Sequence, residues 1–496
     1  MLINRFKLLG ITLVTVLFFT VFYQTTLNAA DDKPAKYVFL FIGDGMSLAQ
    51  VNATEALLSE TKIFDDFRHL KGKNKLVMNN IDFTGVASTS AKNRYITCSS
   101  AAGTALATGN KTSINTVSKT ADREEDMKTI AEMAKEKGMK TGIITSVSID
   151  HATPACFYAH ADDRENYYSI SGQMAKSNFD FFGGGFSKGN AAKHGPGNVV
   201  ELMKQNGYIV TSTRDAMKDV KVGNKLWAYT EYTPNDAALY FEIDKQNNPM
   251  YSSGITLAEF TKKAIEMLDN KGGFFIMVEG GKIDWACHEN DVLTMAYEVA
   301  ALDEAIAEAI DFYIEHPKET LIIVTADHEC GGLTIGSSYT KYDSEFKILK
   351  YQKISSDLFK EKIETWKTGQ NVSFSMALDS VRYYFGLGDT VKSKKLALSD
   401  FEKAKLEEAY NYSMGKSSEL TKEYTQVAYG GNNAFAVTVI KLLNNKAGFG
   451  WTSFSHTGIN VPIYAIGQGA DLFRGKLDNT DITKRIIKAA KLKKKK

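Results

Sequence analysis

The sequence is poor in proline, with seven in 496 residues, so no Pro-rich linker divides it. It carries no internal repeat, which excludes solenoids and propellers. Charge of one sign is also scarce: 60 Lys and Arg face 58 Asp and Glu, a formal net charge of +2. Part of the positive count is concentrated in the lysine-rich tail 491–496, which leaves a near-neutral body and nothing to attract nucleic acid. Only one long apolar run occurs, Leu8 to Tyr23, with Arg5 and Lys7 before it and Leu27-Asn-Ala-Ala30 after it. That is the layout of a signal peptide over residues 1–30, cut after Ala29 or Ala30. The run falls short of the ~20 residues that span a bilayer. The mature chain is therefore expected to be exported, periplasmic or extracellular, with no membrane partner. Cysteine is limited to Cys98, Cys156, Cys287 and Cys330. In an oxidising compartment four thiols allow three full pairings, and the sequence does not choose among them.

What remains is ordinary for a folded globular protein: 44% hydrophobic and 24% charged residues. Four apolar runs, Tyr37–Ile42, Thr141–Thr145, Phe274–Val278 and Leu321–Thr325, read as buried parallel strands. Helical patterns at Met127–Lys137, Leu257–Leu268 and Val292–Ile314 alternate with them. The expected fold class is α/β, a mostly parallel central sheet with helices on both faces. Residues 31–336 and 433–496 are expected to form the main α/β domain, with Val461–Gly467 as a returning strand. Residues 337–432, rich in Lys, Glu, Tyr and Ser, read as an inserted, mainly helical subdomain. The insert leaves just after Asp327-His328 and returns before His456, so it is expected near the site entrance.

In such sheets a ligand site lies beyond the C-terminal strand ends. Each of the four runs is followed there by metal-ligand residue types: Asp44, His151 with Thr153, Glu279 with Asp284, and Asp327-His328. Asp284 and His288 are four apart, one face of a helix. Asp44 lies between two glycines, which permit a close backbone approach. Oxygen and nitrogen donors in this mixture suit zinc, while Glu279 and Thr153 are hard ligands better matched to magnesium. Thr97-Cys98-Ser99-Ser100 precedes a run of small residues ending at Gly109 and reads as a helix start. A serine there is either a helix cap or a nucleophile at an anion-binding helix terminus. Arg164 is the candidate bidentate phosphate clamp. His69, His194 and His316 are assigned no role, and His160 is ambiguous.

Gly43-Asp44-Gly45-Met46, Thr97 to Ala105, His151 to Ala155, Glu279 to Asp284, Asp327-His328 and His456-Thr457-Gly458 together resemble, in order, the motif set of alkaline phosphatases. The resemblance covers about Lys36 to Gly467, the insert excepted. It implies hydrolysis of phosphate monoesters through a phosphoserine on Ser99 rather than Ser100, with Arg164 on the phosphate. It implies two zinc ions, one on Asp284, His288 and His456 and one on Asp327, His328 and Asp44. It further implies one magnesium ion on Asp44, Thr153 and Glu279, with His151 beside it, and a possible homodimer. Three positions depart from the bacterial pattern: Cys98 where an aspartate often orients the arginine, His151 where some members have aspartate, and Trp285 where others carry a basic residue. A sulfatase is disfavoured because Cys98 lacks the following proline and arginine of that motif, a phosphodiesterase because the third-metal residues are present. A retired, non-enzymatic scaffold is disfavoured by the complete ligand set.

Overall fold

The computed structural model describes residues 33–230, 237–245, 249–369, 372–416 and 418–492. The signal peptide expected over residues 1–30 and the last lysines of the tail lie outside the described residues. No helix among those described is long and apolar enough to cross a membrane.

Ten strands form the central sheet. In chain order they are β1 (Tyr37–Gly43), β2 (Phe83–Ser88), β3 (Lys140–Thr145), β4 (Phe181–Gly184), β5 (Tyr208–Thr211), β6 (Lys225–Tyr229), β7 (Phe274–Gly280) and β8 (Thr320–Ala326), then β13 (Val461–Gly467) and β14 (Gly475–Asp478). Four two-residue strands intervene: β9 (Glu329–Cys330), β10 (Thr334–Ile335), β11 (Phe449–Gly450) and β12 (His456–Thr457). The sheet order is β14-β2-β13-β8-β1-β7-β3-β4-β6-β5. Only β13 runs against the others. The four strands expected from the sequence are the four at the centre, and every residue of β1, β7 and β8 is buried. Their apolar runs are continuous because helices cover both faces. Parallel pairing sets Gly43 opposite Gly280 and Ala326, and Thr145 opposite Glu279. Four strand exits therefore open at one edge, level with one another.

The helix expected over Met127–Lys137 is shorter, Ile130–Glu136. Thr129 caps it, accepting from the Glu132 amide while the Glu132 side chain returns to the Thr129 amide, and this box fixes the start three residues late. Residues 337–432 carry the helices Ser356–Gly369, Phe374–Phe385, Asp400–Ser413 and Lys422–Tyr429. Their core is continuous with the rest: Phe359 meets Phe435 with ring centroids 5.9 Å apart. Buried carboxylates join the two parts. Asp291 accepts from the Gln352 amide and the Ser356 N–H, and Asp244 from the Ser355 N–H and hydroxyl. A cavity of about 660 Å³ lies between Ser337, Gln426–Ala428 and the segment Trp451–Ser455.

Candidate active site and metal centre

Ser99 opens the helix Ser99–Thr108, every residue of which is buried. The capping reading of the serine fails here. Cys98 occupies the N-cap position and makes no side-chain cap bond, so Ser99 is the first helical residue and its hydroxyl is left for other partners. Small residues bring this helix down onto the short helix Ala152–Ala155. A Cβ on Gly103 would stand 3.1 Å from the Cys156 sulfur and 3.4 Å from the Thr153 Cα. The Ser99 Oγ lies 3.4 Å from His328 Nε2.

Three groups of donors converge beyond the strand ends: Asp284, His288, Cys330 and His456; Asp44, Asp327 and His328; Asp44, His151 and Glu279. Within each group one donor atom per residue lies within 4.8 Å of all the others. All the expected metal-site residues are thus in these groups except Thr153, whose buried hydroxyl has no hydrogen-bond partner. Cys330 is the one member not expected.

In the first group, Asp284 and His288 share one face of the helix Lys282–His288, and His456 comes from β12. His288 Nδ1 donates to the Phe454 carbonyl at 2.6 Å and His456 Nδ1 to the Thr97 carbonyl at 2.9 Å. With both Nδ1 protons committed, the two Nε2 atoms face each other at 3.2 Å. They also stand 3.3 and 3.5 Å from the Asp284 carboxylate. Two lone pairs do not approach so closely without a cation between them. A proton can play that part: the charge of Asp284 pulls the His288 imidazole up to about 9. Burial and His288 lower His456. Burial opposes ionisation of Asp284, yet His288, by its charge and its hydrogen bond, holds this carboxyl well below the carboxylate range.

In the second group, His328 Nε2 lies 3.2 Å from Asp327 and 3.4 Å from Asp44. Burial, then His456, pushes this imidazole well below its ordinary value, so these contacts join a neutral ring to carboxyls and are not ion pairs. Burial and the charge of Asp327 push Asp44 well above the carboxylate range, and burial with Asp284 does the same to Asp327. In the third group, Glu279 accepts from the Thr145 hydroxyl, and burial lifts its carboxyl to about 7.

The hydrogen-bond account identifies what the cluster lacks. Both oxygens of Asp44 and one atom each of His151, Thr153, Glu279, Asp284, Asp327 and His328 are buried without a partner. At about 1–3 kcal/mol each, eight such atoms cost about 8–24 kcal/mol, as much as the whole ~5–15 kcal/mol by which a folded domain is stable. Carboxylate oxygens and imidazole nitrogens aimed at shared points are satisfied by divalent cations, and the donor set fits them.

Arg164 is half-buried and its guanidinium donates to His151 Nε2 at 3.1 Å. Its orientation comes from His151, not from position 98: Cys98 Sγ accepts from the Asn115 N–H at 3.2 Å instead. Burial, then Arg164, lowers His151 well below its ordinary value, which leaves Nε2 free to accept. Trp285 packs edge-on against His151, ring centroids 5.9 Å apart. His160 lies outside the site, bound to the Ser118 carbonyl and Glu132.

Sequence reasoning missed Glu329, a buried carboxylate that accepts from Gln50 Nε2 at 2.8 Å, from the N–H groups of Gly332 and Leu333, and from the Thr457 hydroxyl. It ties β9 to β12, and so His328 to His456. The one local signal was the Ser47-to-Gln50 capping spacing, which marks a helix start and not a tie to a residue 279 positions away. Among the described residues no disulfide forms, and all four thiols are free.

A family model described as "Alkaline phosphatase" matches residues 35–492. Alkaline phosphatase 4 of Bacillus subtilis is 31% identical over 507 residues, covering 98% of this chain and 97% of the relative. Among solved structures, the cold-active alkaline phosphatase of a psychrophilic Shewanella superposes with a TM-score of 0.71 at 27% identity, covering 92% of this chain and 100% of the other. The Thermus thermophilus alkaline phosphatase has a TM-score of 0.75 at 24% identity, covering 95% of each chain, and speaks for the fold alone. Matched along nearly its whole described length, and carrying clustered metal donors at the strand ends, the chain belongs to the alkaline phosphatase family, metal-dependent hydrolases of phosphate monoesters.

Proposed function

We propose that Ser99 carries the phosphomonoester hydrolysis of this family and that the three donor groups hold two zinc ions and one magnesium ion. Asp284, His288 and His456 would hold one zinc. Asp327, His328 and Asp44 would hold the other, beside the Ser99 oxygen. Asp44, Thr153 and Glu279 would hold magnesium, with His151 next to it. The observation that carries the reading is the set of buried carboxylate oxygens and imidazole nitrogens that lack hydrogen-bond partners and converge in three groups beyond the strand ends. When bound, the ions supply Lewis-acid stabilisation of the attacking and leaving oxygens and of the phosphoryl charge.

The chain's own residues do the rest. The first turn of the helix Ser99–Thr108 points unpaired N–H groups at the phosphoryl oxygens. Arg164, steadied by His151, clamps two of them. The Ser99 oxygen, its proton given up to solvent, attacks phosphorus in line; the bond to the leaving oxygen breaks, that oxygen takes a proton from solvent to leave as the alcohol, and a phosphoserine remains. Water then attacks from the opposite side, releasing phosphate and restoring the serine.

Ser99→Ala is the direct test. It should abolish turnover of a phosphate monoester, and unchanged turnover would remove the nucleophile. Ser100→Ala should keep most of it, since the Ser100 hydroxyl lies 3.2 Å from the Cys98 sulfur. A diester or sulfate ester cleaved faster than the monoester would overturn the substrate assignment. We further infer export through residues 1–30 and a homodimer. N-terminal sequencing of secreted protein and light scattering test these, and a retained leader or a monomer would contradict them.

A further inference from the structure

Cys330 belongs to the first donor group yet is not needed for the reading above. It sits on β9, which pairs antiparallel with β12 so that Cys330 is directly opposite His456 and Glu329 opposite Thr457. Directly opposed residues of an antiparallel pair project from the same face, and successive residues from opposite faces. The Thr457 hydroxyl bonds the Glu329 carboxylate on one face. On the other face the Cys330 thiol stands beside the His456 imidazole. Cys330 is fully buried, is free of any disulfide, and its sulfur lies within 4.8 Å of donor atoms of Asp284, His288 and His456. One oxygen of Asp284, itself 5% exposed, has no hydrogen-bond partner. The backbone holds the thiol in place: the Cys330 N–H donates to the Gly45 carbonyl at 3.2 Å and its carbonyl accepts from Gln50 at 3.0 Å.

We propose that the Cys330 thiolate is a fourth protein ligand to the metal ion on Asp284, His288 and His456. The proposal rests on the assignment of that group as a zinc site. The thiol loses its proton to solvent as the metal–sulfur bond forms. Three protein ligands leave zinc an open position, and a fourth closes the tetrahedron. With Cys330 bound, the four side chains would close the phosphate-free site, and the sulfur would have to yield or share the ion when a substrate oxygen binds. A thiolate also favours softer metals.

The test uses the full mature protein, stripped by a chelator and reloaded with cobalt(II) or zinc alone. Wild type should show a near-ultraviolet sulfur-to-cobalt charge-transfer band, lost in Cys330→Ser and Cys330→Ala. The band should persist in Cys287→Ser, whose parent sulfur faces Gln50 at 3.9 Å. X-ray absorption of the zinc form should find sulfur at about 2.3 Å in wild type and none in Cys330→Ser. Nitrogen and oxygen neighbours only, or a band that survives Cys330→Ser, overturns the thiolate. If that happens in a protein that binds zinc and cleaves a phosphate monoester, the thiolate alone fails. If the protein takes up neither metal, the zinc reading fails with it.

Discussion

Gly45 gives the most quantitative handle on the site. Its φ is +73°, and a Cβ built there would lie 3.0 Å from the Asp284 Cα, 3.0 Å from the Cys330 Cβ and 3.1 Å from the Asp284 Cβ. Its N–H donates to Asp327 at 3.2 Å and its carbonyl accepts from Cys330. Gly45→Ala therefore acts twice. The left-handed backbone costs about 1–2 kcal/mol for any residue with a Cβ. The contacts then force the neighbouring backbone to give by a few tenths of an ångström, and the neighbour is a metal-site carboxylate. Gly138 separates the two terms: its φ is +88° and nothing lies within 4 Å of an added Cβ. Gly138→Ala should lose about 1–2 kcal/mol in urea unfolding with zinc affinity and turnover intact. Gly45→Ala should lose that and more, with zinc affinity down about tenfold, ~1.4 kcal/mol, and kcat down by about tenfold, because a misplacement of about 1 Å can cost 100-fold. Zinc affinity is read by competition against a chromophoric chelator. Equal zinc affinity in the two variants would refute the contact argument.

Glu329→Ala should destabilise the protein by roughly 3–5 kcal/mol, because it strips a buried acceptor from several donors at once; a loss below about 1 kcal/mol in urea unfolding would show the tie between β9 and β12 to be dispensable. Chelation should lower the melting temperature and zinc should restore it, since the buried donor atoms then regain partners; scanning calorimetry with and without metal decides, and coincident transitions would contradict the account. His160 is raised above 6.5: burial lowers it, but the hydrogen bonds to Glu132 and the Ser118 carbonyl and the charges of Glu132 and Asp126 together outweigh that. Its contribution is therefore fully present below about pH 6.5 and is lost as pH rises through the folded value. His160→Gln should cost about 1 kcal/mol near pH 6 and less near pH 9, and a pH-independent difference in unfolding free energy would refute it.

The central strands and the residues at their exits were legible because each run is short, apolar and followed within a few residues by side chains of metal-ligand type. β13 was also read with its bounds, since a Pro-containing apolar run at an antiparallel position still reads as extended. The flanking strands β4, β5 and β6 were not named: they are four or five residues long, and their pairing depends on partners distant in sequence. Ser99 was placed at a helix start correctly, but nothing local distinguishes a capping serine from a first-turn serine with Cys98 in the cap position. Cys330 was read only as one of four cysteines of undecided pairing. Its membership of a donor group follows from the register of β9 with β12, which no local pattern encodes. Arg164 was named from the sequence, whereas its hydrogen-bond partner His151 was placed beside the metal alone.

The β9–β12 ladder also bears on when the protein becomes competent. Asp44 leaves the ribosome early and His456 near the end of synthesis, and the first donor group gains its last imidazole only when β12 lies down beside β9. Contacts of such wide sequence separation form late, because the intervening chain must be ordered first. A nascent or truncated chain thus offers the ion isolated carboxylates and imidazoles of low affinity, and tight uptake coincides with completion of the fold. Metal capture is in this sense a timer: it records that β12 has reached β9 across the helices that separate them in the chain.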